Sequence, residues 1–294
     1  MKKFFKLATD SHFGFKYLDP IPSQELLNDF YKKKYYRLSR APQIKRFMKG
    51  GLVAQREKDW YAKALWTDVR DTLKNWVHRK QKRLLDVGAG TGDFANFMAK
   101  AGWDVAAVEP SLAAAQKAKN VGVTIYPSLE HFQVEHKKVF FDALTFLNVL
   151  EHVPHPVAFL KEKTAILKKG GVVVIQIPND FSPLQLLAQK KYKTEPWWVF
   201  APDHCNYFNF NSMTKVLRYL NFEILDCLSD FPMEFFLLFG DNYINNATVG
   251  SECHARRVRF DTILPPELKR RIYKSLSRLG VGRNLLLFAR KGSK

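Results

Sequence analysis

Between residues 83 and 177, short runs of aliphatic and β-branched residues alternate with segments of helical period. This alternation constrains the fold more than any other feature of the chain. Arg83–Val87, Asp104–Val108, 123–126, 141–146 and 172–177 read as strands, and 92–101, 111–120 and 156–167 as the helices between them. Strands joined by helical crossovers pair in parallel, giving a sheet covered on both faces. The 294 residues suit one large domain with appendages.

The flanks are less regular. Residues 1–79 read as an N-terminal helical or cap region. Its first helix follows Pro20-Ile21-Pro22, with Ser23 as N-cap and Leu26, Leu27, Phe30 and Tyr31 on one face. A second helix is expected over 53–77, with Trp60, Leu65, Trp66, Val69, Leu73 and Trp76 inside. Residues 80–180 form the alternating core, and 181–294 hold the rest. Within that last part 179–210 reads as an aromatic loop, and Asn211-Ser212-Met213-Thr214 caps a helix ending at Leu220. Strands follow at Phe222–Leu228 and 284–289. The roughly 55 residues between those strands are too many for a hairpin turn. They make an insertion, about 230–283, with a helix at 266–279.

The formal net charge is +19, but it is unevenly spread. Residues 1–83 hold 21 Lys and Arg against 8 acids, whereas 84–180 hold 9 against 10. The densest basic runs are Lys32-Lys33-Lys34 and Arg256, Arg257 and Arg259. They suit solvated helix faces or a phosphate-rich partner. Cys205, Cys227 and Cys253 make no disulfide framework or zinc spacing, which points to a reducing compartment. The opening Met1-Lys2-Lys3-Phe4-Phe5 mimics a leader, but Lys6 and Asp10 interrupt it. No apolar run approaches the roughly 20 residues a membrane helix needs. The expectation is a cytoplasmic chain with no membrane insertion.

The stretch Leu84-Leu85-Asp86-Val87-Gly88-Ala89-Gly90-Thr91-Gly92-Asp93 reads as strand, tight turn and helix start. Glycines at 88 and 90 permit positive φ and leave no Cβ between backbone and ligand. A dinucleotide fingerprint would want glycine where Asp93 stands. Asp86, two residues before the first glycine, would repel a pyrophosphate but suits a ligand bearing an ammonium. Glu109 ends the next strand, where a carboxylate can accept both hydroxyls of a ribose.

At these residues the chain resembles the class I S-adenosylmethionine-dependent methyltransferases. Asp86 to Gly92 matches their first signature and Glu109 their ribose-binding acid. Phe141 to Val153, containing Asn148-Val149-Leu150-Glu151-His152, matches their fourth strand and its loop, in the manner of the ubiquinone-biosynthesis branch. Leu167-Lys168-Lys169-Gly170-Gly171 matches the turn before their fifth strand. The resemblance implies a Rossmann-like α/β fold: a seven-stranded, mostly parallel sheet with helices on both faces and an antiparallel last strand. It also implies S-adenosylmethionine as cofactor. Its cradle would be Asp86, Gly88, Ala89, Gly90, Gly92, Glu109, Pro110, Ser128, Asn148 and Val149. Ser128 stands in for the acid that often meets the adenine.

Methyl transfer from a sulfonium is an in-line displacement, and a hydroxyl nucleophile is helped by a base. His152, after the fourth strand, and His204 are the catalytic candidates. No metal is expected, since Asn148 stands where some relatives carry an acid and the adjacent Glu151 and His152 tend to diverge. The acceptor would meet Trp197, Trp198, Asn206 and Tyr207, aromatic faces and polar groups that suit a sugar or planar ring. Arg256, Arg257 and Arg259 could read a phosphate or carboxylate on it. The reading is therefore O-methylation of a small molecule or glycan precursor. Two alternatives remain at this stage. One is an RNA methyltransferase using the basic N-terminal flank, although no RNA-binding module or base-amine motif is present. The other is a non-catalytic binding protein that retains the fold.

Overall fold

The computed structural model describes residues 4–30, 52–111, 122–137 and 139–292. The central sheet follows from the alternating pattern. Strands β3 (Arg83–Val87), β4 (Asp104–Val108), β5 (Ile125–Tyr126), β6 (Phe141–Leu147) and β7 (Leu167–Pro178) pair in parallel. β9 (Phe222–Leu228) and β10 (Asn284–Lys291) complete a seven-stranded sheet of order β5-β4-β3-β6-β7-β10-β9. β10 is antiparallel to both its neighbours, as a last strand returning from the insertion must be.

Successive strand residues point to opposite faces, so one sheet feeds two cores. Leu85, Leu144, Val173, Ile175 and Leu287 pack on one side against Phe132, Leu160, Met213 and Leu217. Leu84, Ala143, Val172, Val174 and Phe288 pack on the other against Val69, Leu73, Phe94 and Met98. The helix expected over 53–77 is described over 52–74, but it is not uniform. It runs α-helical over Leu52–Tyr61, widens to a π turn at Ala62–Trp66, and resumes at Thr67–Lys74. A π turn is costly on its own, and here its carbonyls have dedicated donors. Thr67 Oγ1 donates to the Ala62 carbonyl at 2.6 Å, and Lys269 Nζ donates to that of Ala64 at 2.7 Å. Lys269 is 1% exposed and also meets Asp68 at 3.0 Å. Burial pushes the Asp68 carboxyl up to about 6 even with Lys269 and Arg270 opposing it.

Several expectations change. The N-terminal region begins with strands, not helix: β1 (Lys6–Thr9) and β2 (Lys16–Asp19) form a hairpin. Asp10 caps its turn by accepting from the backbone of His12 and Phe13, and Gly14 takes φ +83°. β8 (Asn206–Tyr207) pairs with β2 to complete a small antiparallel sheet. Ser23 caps the helix Gln24–Phe30 as expected, with Leu27 and Phe30 buried, but Leu26 is exposed and Tyr31 lies outside the described residues. The third core strand is shortened to Ile125–Tyr126. Residues 112–120 of the helix expected over 111–120 lie outside the described residues, as does the Lys32-Lys33-Lys34 run.

Residues 179–210 are not simply loop. Ser182 opens a capping box with Gln185 and starts the helix Pro183–Tyr192. Asn209, not Asn211, caps the next helix, Phe210–Tyr219. The insertion holds Pro266–Arg278 as expected, and also Glu234–Phe239 and Ala247–Ile263. No helix among the described residues is long and apolar enough to cross a membrane.

Replacing Lys269 by Met should leave the buried Asp68 carboxylate with only the longer Arg270 contact, at 3.5 Å, and lower the unfolding free energy by about 3 kcal/mol. Denaturant titration should find that loss at pH 8 and a smaller one at pH 5, where Asp68 takes up a proton.

Candidate active site

The donor-side crevice is built from strand ends. Asp86, next to last in β3, is 3% exposed and accepts a hydrogen bond from Thr145 Oγ1 at 2.7 Å. Burial pushes its carboxyl up to about 7, with the Thr145 bond opposing the shift and nearby Glu109 adding to it. The turn after β3 places Gly88, Gly90 and Gly92 at φ +76°, +55° and +72°. At Gly88 a Cβ would come within 2.6 Å of Val149 Cγ2, so this glycine lets the turn close on the loop after β6. At Gly90 a Cβ would meet nothing within 4 Å, so that face of the turn is an open cradle. Glu109 ends β4, and its two oxygens accept from the N–H groups of Gly90 and Ser111, both at 2.8 Å. Burial raises its carboxyl as well, against those two bonds. Ala89 donates to the Val108 carbonyl, Pro110 is exposed, and Ser128 caps the helix Leu129–Glu135.

Asn148 leaves β6 at φ +57°, held by its N–H on the Gln176 carbonyl at 2.8 Å. It also lines a second space, a cavity of about 700 Å³. The walls of this chamber come from the helix Leu52–Tyr61 and π turn (Trp60, Tyr61), the post-β6 loop (Glu151), the aromatic segment (Trp197, Phe200, Asp203, His204) and the insertion (Tyr243, Arg257).

Two loops meet at the chamber and are stitched together by their backbones. Cys205 N–H donates to the Glu151 carbonyl at 2.7 Å, and Asn206 Nδ2 to that of Val153 at 2.6 Å. His152 Nδ1 lies 2.8 Å from the Asp203 carbonyl and 3.3 Å from Asp203 Oδ1. A neutral ring donating to that carbonyl keeps Nε2 as its basic nitrogen. The His152 and His204 rings meet edge to face with centroids 4.8 Å apart. Glu151, His152 and His204 thus offer ligand atoms all within 4.8 Å of one another, a set able to hold a cation. The expectation that Glu151 and His152 diverge does not hold, because the short 3₁₀ turn Leu150–His152 folds them to one side.

A family model described as a methyltransferase domain matches residues 59–226, more than half of the chain. The chain belongs to this methyltransferase family. Curated relatives include the ubiquinone biosynthesis O-methyltransferases of Actinobacillus pleuropneumoniae and Alkalilimnicola ehrlichii. The first is 35% identical over 108 residues, covering 33% of this chain and 46% of the relative. The second is 33% identical over 104 residues, covering 33% and 42%. The matched region therefore spans less than half the length of these relatives. Among solved structures, an S-adenosylmethionine-dependent methyltransferase from Archaeoglobus fulgidus superposes with TM-score 0.52 at 16% identity, over 86% of this chain and all of that one. The plantazolicin methyltransferase BpumL, solved with a desmethyl analogue and S-adenosylhomocysteine, gives 0.51 at 12% identity, over 91% and 94%. Both likenesses establish the Rossmann-like methyltransferase fold.

Within this methyltransferase domain the expected residues separate into groups. Asp86, the glycines and Glu109 converge, and His152 and His204 come together from loops far apart in sequence. Trp197 and His204 line the chamber, but Trp198, Asn206 and Tyr207 do not. Trp198 and Tyr207 are each 1% exposed, and the Tyr207 hydroxyl donates to the His204 carbonyl. These three hold the segment's shape. The arginines are not a phosphate cluster. Arg256 pairs with Asp241 and Arg257 with Asp230, at 2.7 and 2.6 Å, and Arg259 is exposed. Sequence reading missed Trp60 and Gln176 as chamber residues, because they sit in elements whose signals are those of ordinary core. Replacing Gly88 by Ala should force Val149 off the turn, and a thermal melt should show a lower Tm with the β6 loop loosened.

Proposed function

We propose that this protein transfers the methyl group of S-adenosylmethionine to a hydroxyl of a small-molecule or glycan-precursor acceptor held in the chamber. The observation that carries the reading is the junction of the two spaces. Asn148 lines the chamber while its neighbour Val149 packs on the glycine turn, so donor crevice and chamber meet at adjacent residues.

When bound, the donor supplies an electrophilic methyl on a positively charged sulfur. Asp86 would take its ammonium, which suits a buried carboxyl lacking a cation. Glu109 would turn its oxygens to the ribose hydroxyls, and the open face of Gly90 would admit the amino-acid tail. His204, lining the chamber, would accept the hydroxyl proton as the oxygen bonds to the methyl carbon and the carbon–sulfur bond breaks. His152, locked by Asp203, completes the imidazole pair. The edge-on packing of the two rings supports a shared role.

A second reading is favoured by the convergence of Glu151, His152 and His204: a divalent cation there would polarise the acceptor hydroxyl. The basic N-terminal run lies outside the described residues, and Arg256 and Arg257 of the insertion are paired with acids, so no observation among the described residues favours an RNA acceptor.

Donor affinity should report the Asp86 proton. A cationic ligand needs the carboxylate, so below about 7 it must displace a proton before binding. Calorimetric titration of S-adenosylmethionine should show affinity about tenfold weaker at pH 5.5 than at pH 6.5. In Asp86→Asn binding should be weak throughout and this slope absent. His204→Ala should lower kcat by roughly 10²–10⁴ with donor affinity unchanged, as for loss of a general base. Turnover of the unaltered protein that survives exhaustive chelation would support the imidazole reading, and turnover restored only by added Mg²⁺ or Zn²⁺ the cation.

A further inference from the structure

One buried polar group is left unused by the reaction outlined above. Gln176 lies near the end of β7, in the row that begins Val172 and Val174 on the sheet face packed by Val69 and Leu73. Continuing that row, an aliphatic residue would be expected. Gln176 is instead 5% exposed, and its Oε1 has no hydrogen-bond partner among the described residues. It lines the chamber, beside Asn148 just past the end of β6 and opposite Leu286 of β10. A buried amide oxygen without a donor is costly, and a ligand that donates to it removes the cost.

We infer that the Gln176 carboxamide binds the acceptor, and that the acceptor is an uncharged sugar presenting a vicinal diol. This rests on reading the chamber as the acceptor space of a methyl transfer. A primary amide offers one acceptor and one donor side by side, the pattern that adjacent sugar hydroxyls complement. Trp60, Trp197 and Phe200 supply the aromatic faces on which the apolar side of a pyranose packs. The Tyr243 hydroxyl lies against the Trp197 indole in the same wall and so orients one of these aromatic faces.

The charges argue against other acceptor classes. Arg257 is already neutralised by Asp230, and Arg283 stands 4.0 Å from the fully buried Glu234, so neither is an uncommitted phosphate receptor. Asp230 and Asp261 in the same wall are taken up by Arg257, Asn284, Trp60 and Tyr273, so they are not uncommitted receptors for a cationic acceptor either.

The test uses the full chain loaded with S-adenosylhomocysteine. Methyl hexopyranosides and catechol are the probes, read by saturation-transfer NMR and titration. At least one glycoside should bind, its 2-, 3- or 4-deoxy analogue should bind less, and Gln176→Leu should weaken the parent glycoside about tenfold, the loss of one buried hydrogen bond. Gln176→Glu, which keeps an acceptor oxygen, should retain part of that binding, and S-adenosylhomocysteine affinity should be unchanged in both variants. Should Gln176→Leu misfold, Tyr243→Phe, which removes only a hydroxyl, should weaken the same glycoside. Glycoside affinity indifferent to these substitutions, or catechol binding while every glycoside fails, overturns the inference with the donor reading intact. Failure of S-adenosylhomocysteine to bind the unaltered protein overturns the donor reading itself.

Discussion

The chamber depends on a seam of hydrogen bonds onto main-chain carbonyls between two loops far apart in sequence. The turn after β6 and the segment around residue 205 bury Leu150, Trp198, Tyr207 and Phe208, and such apolar packing is non-directional. Their alignment comes from Cys205 N–H on the Glu151 carbonyl, Asn206 Nδ2 on that of Val153, and His152 Nδ1 on that of Asp203. Each is a buried group that would be penalised if left unpaired, so together they fix register as well as energy. The small N-terminal sheet reinforces the seam from outside: β2 pairs with β8, and Leu18 N–H donates to the Cys205 carbonyl. The N-terminal hairpin therefore acts as a clamp on the imidazole pair, although it contributes no side chain to the chamber.

The donor half of the fold was legible because its chemistry is local. Asp86, Gly88, Gly90 and Glu109 sit at fixed offsets from strand ends, and a parallel sheet brings successive strand ends to one edge. The chamber was harder for a matching reason. Trp198 and Tyr207 share their composition with chamber residues, and only tertiary packing puts Trp197 and His204 on the open side of the segment. The N-terminal hairpin was missed because four-residue strands carry little periodic signal, and the Asp10 turn with Gly14 was its one visible mark. Gln176 was hidden inside a strand whose neighbours are all aliphatic.

Charge tells the same story. The chain carries +19, yet the chamber is walled by Glu151, Asp203, Asp230 and Asp261, with the lining arginines 257 and 283 set beside acids. Net charge describes the outside of this molecule and gives no guide to the inside. The insertion matters here, since it supplies Asp230, Arg257, Asp261 and Tyr243. It also anchors itself through Ser229 Oγ on the Val281 carbonyl and Asp230 on the Asn284 backbone.

The π turn at Ala62–Trp66 has a consequence for how Trp60 and Val69 share one helix. Each residue of an α-helix advances the side-chain direction by about 100°, so nine steps would set these two on opposite flanks. The wider turn absorbs an extra residue and shifts the rotational phase, letting Trp60 look into the chamber while Val69 stays on the sheet. Shortening this stretch by a single residue would restore ordinary winding. Eight steps of about 100° would then set Trp60 and Val69 at nearly the angle the π turn gives them, so the extra residue is absorbed without turning the aromatic wall out of the chamber.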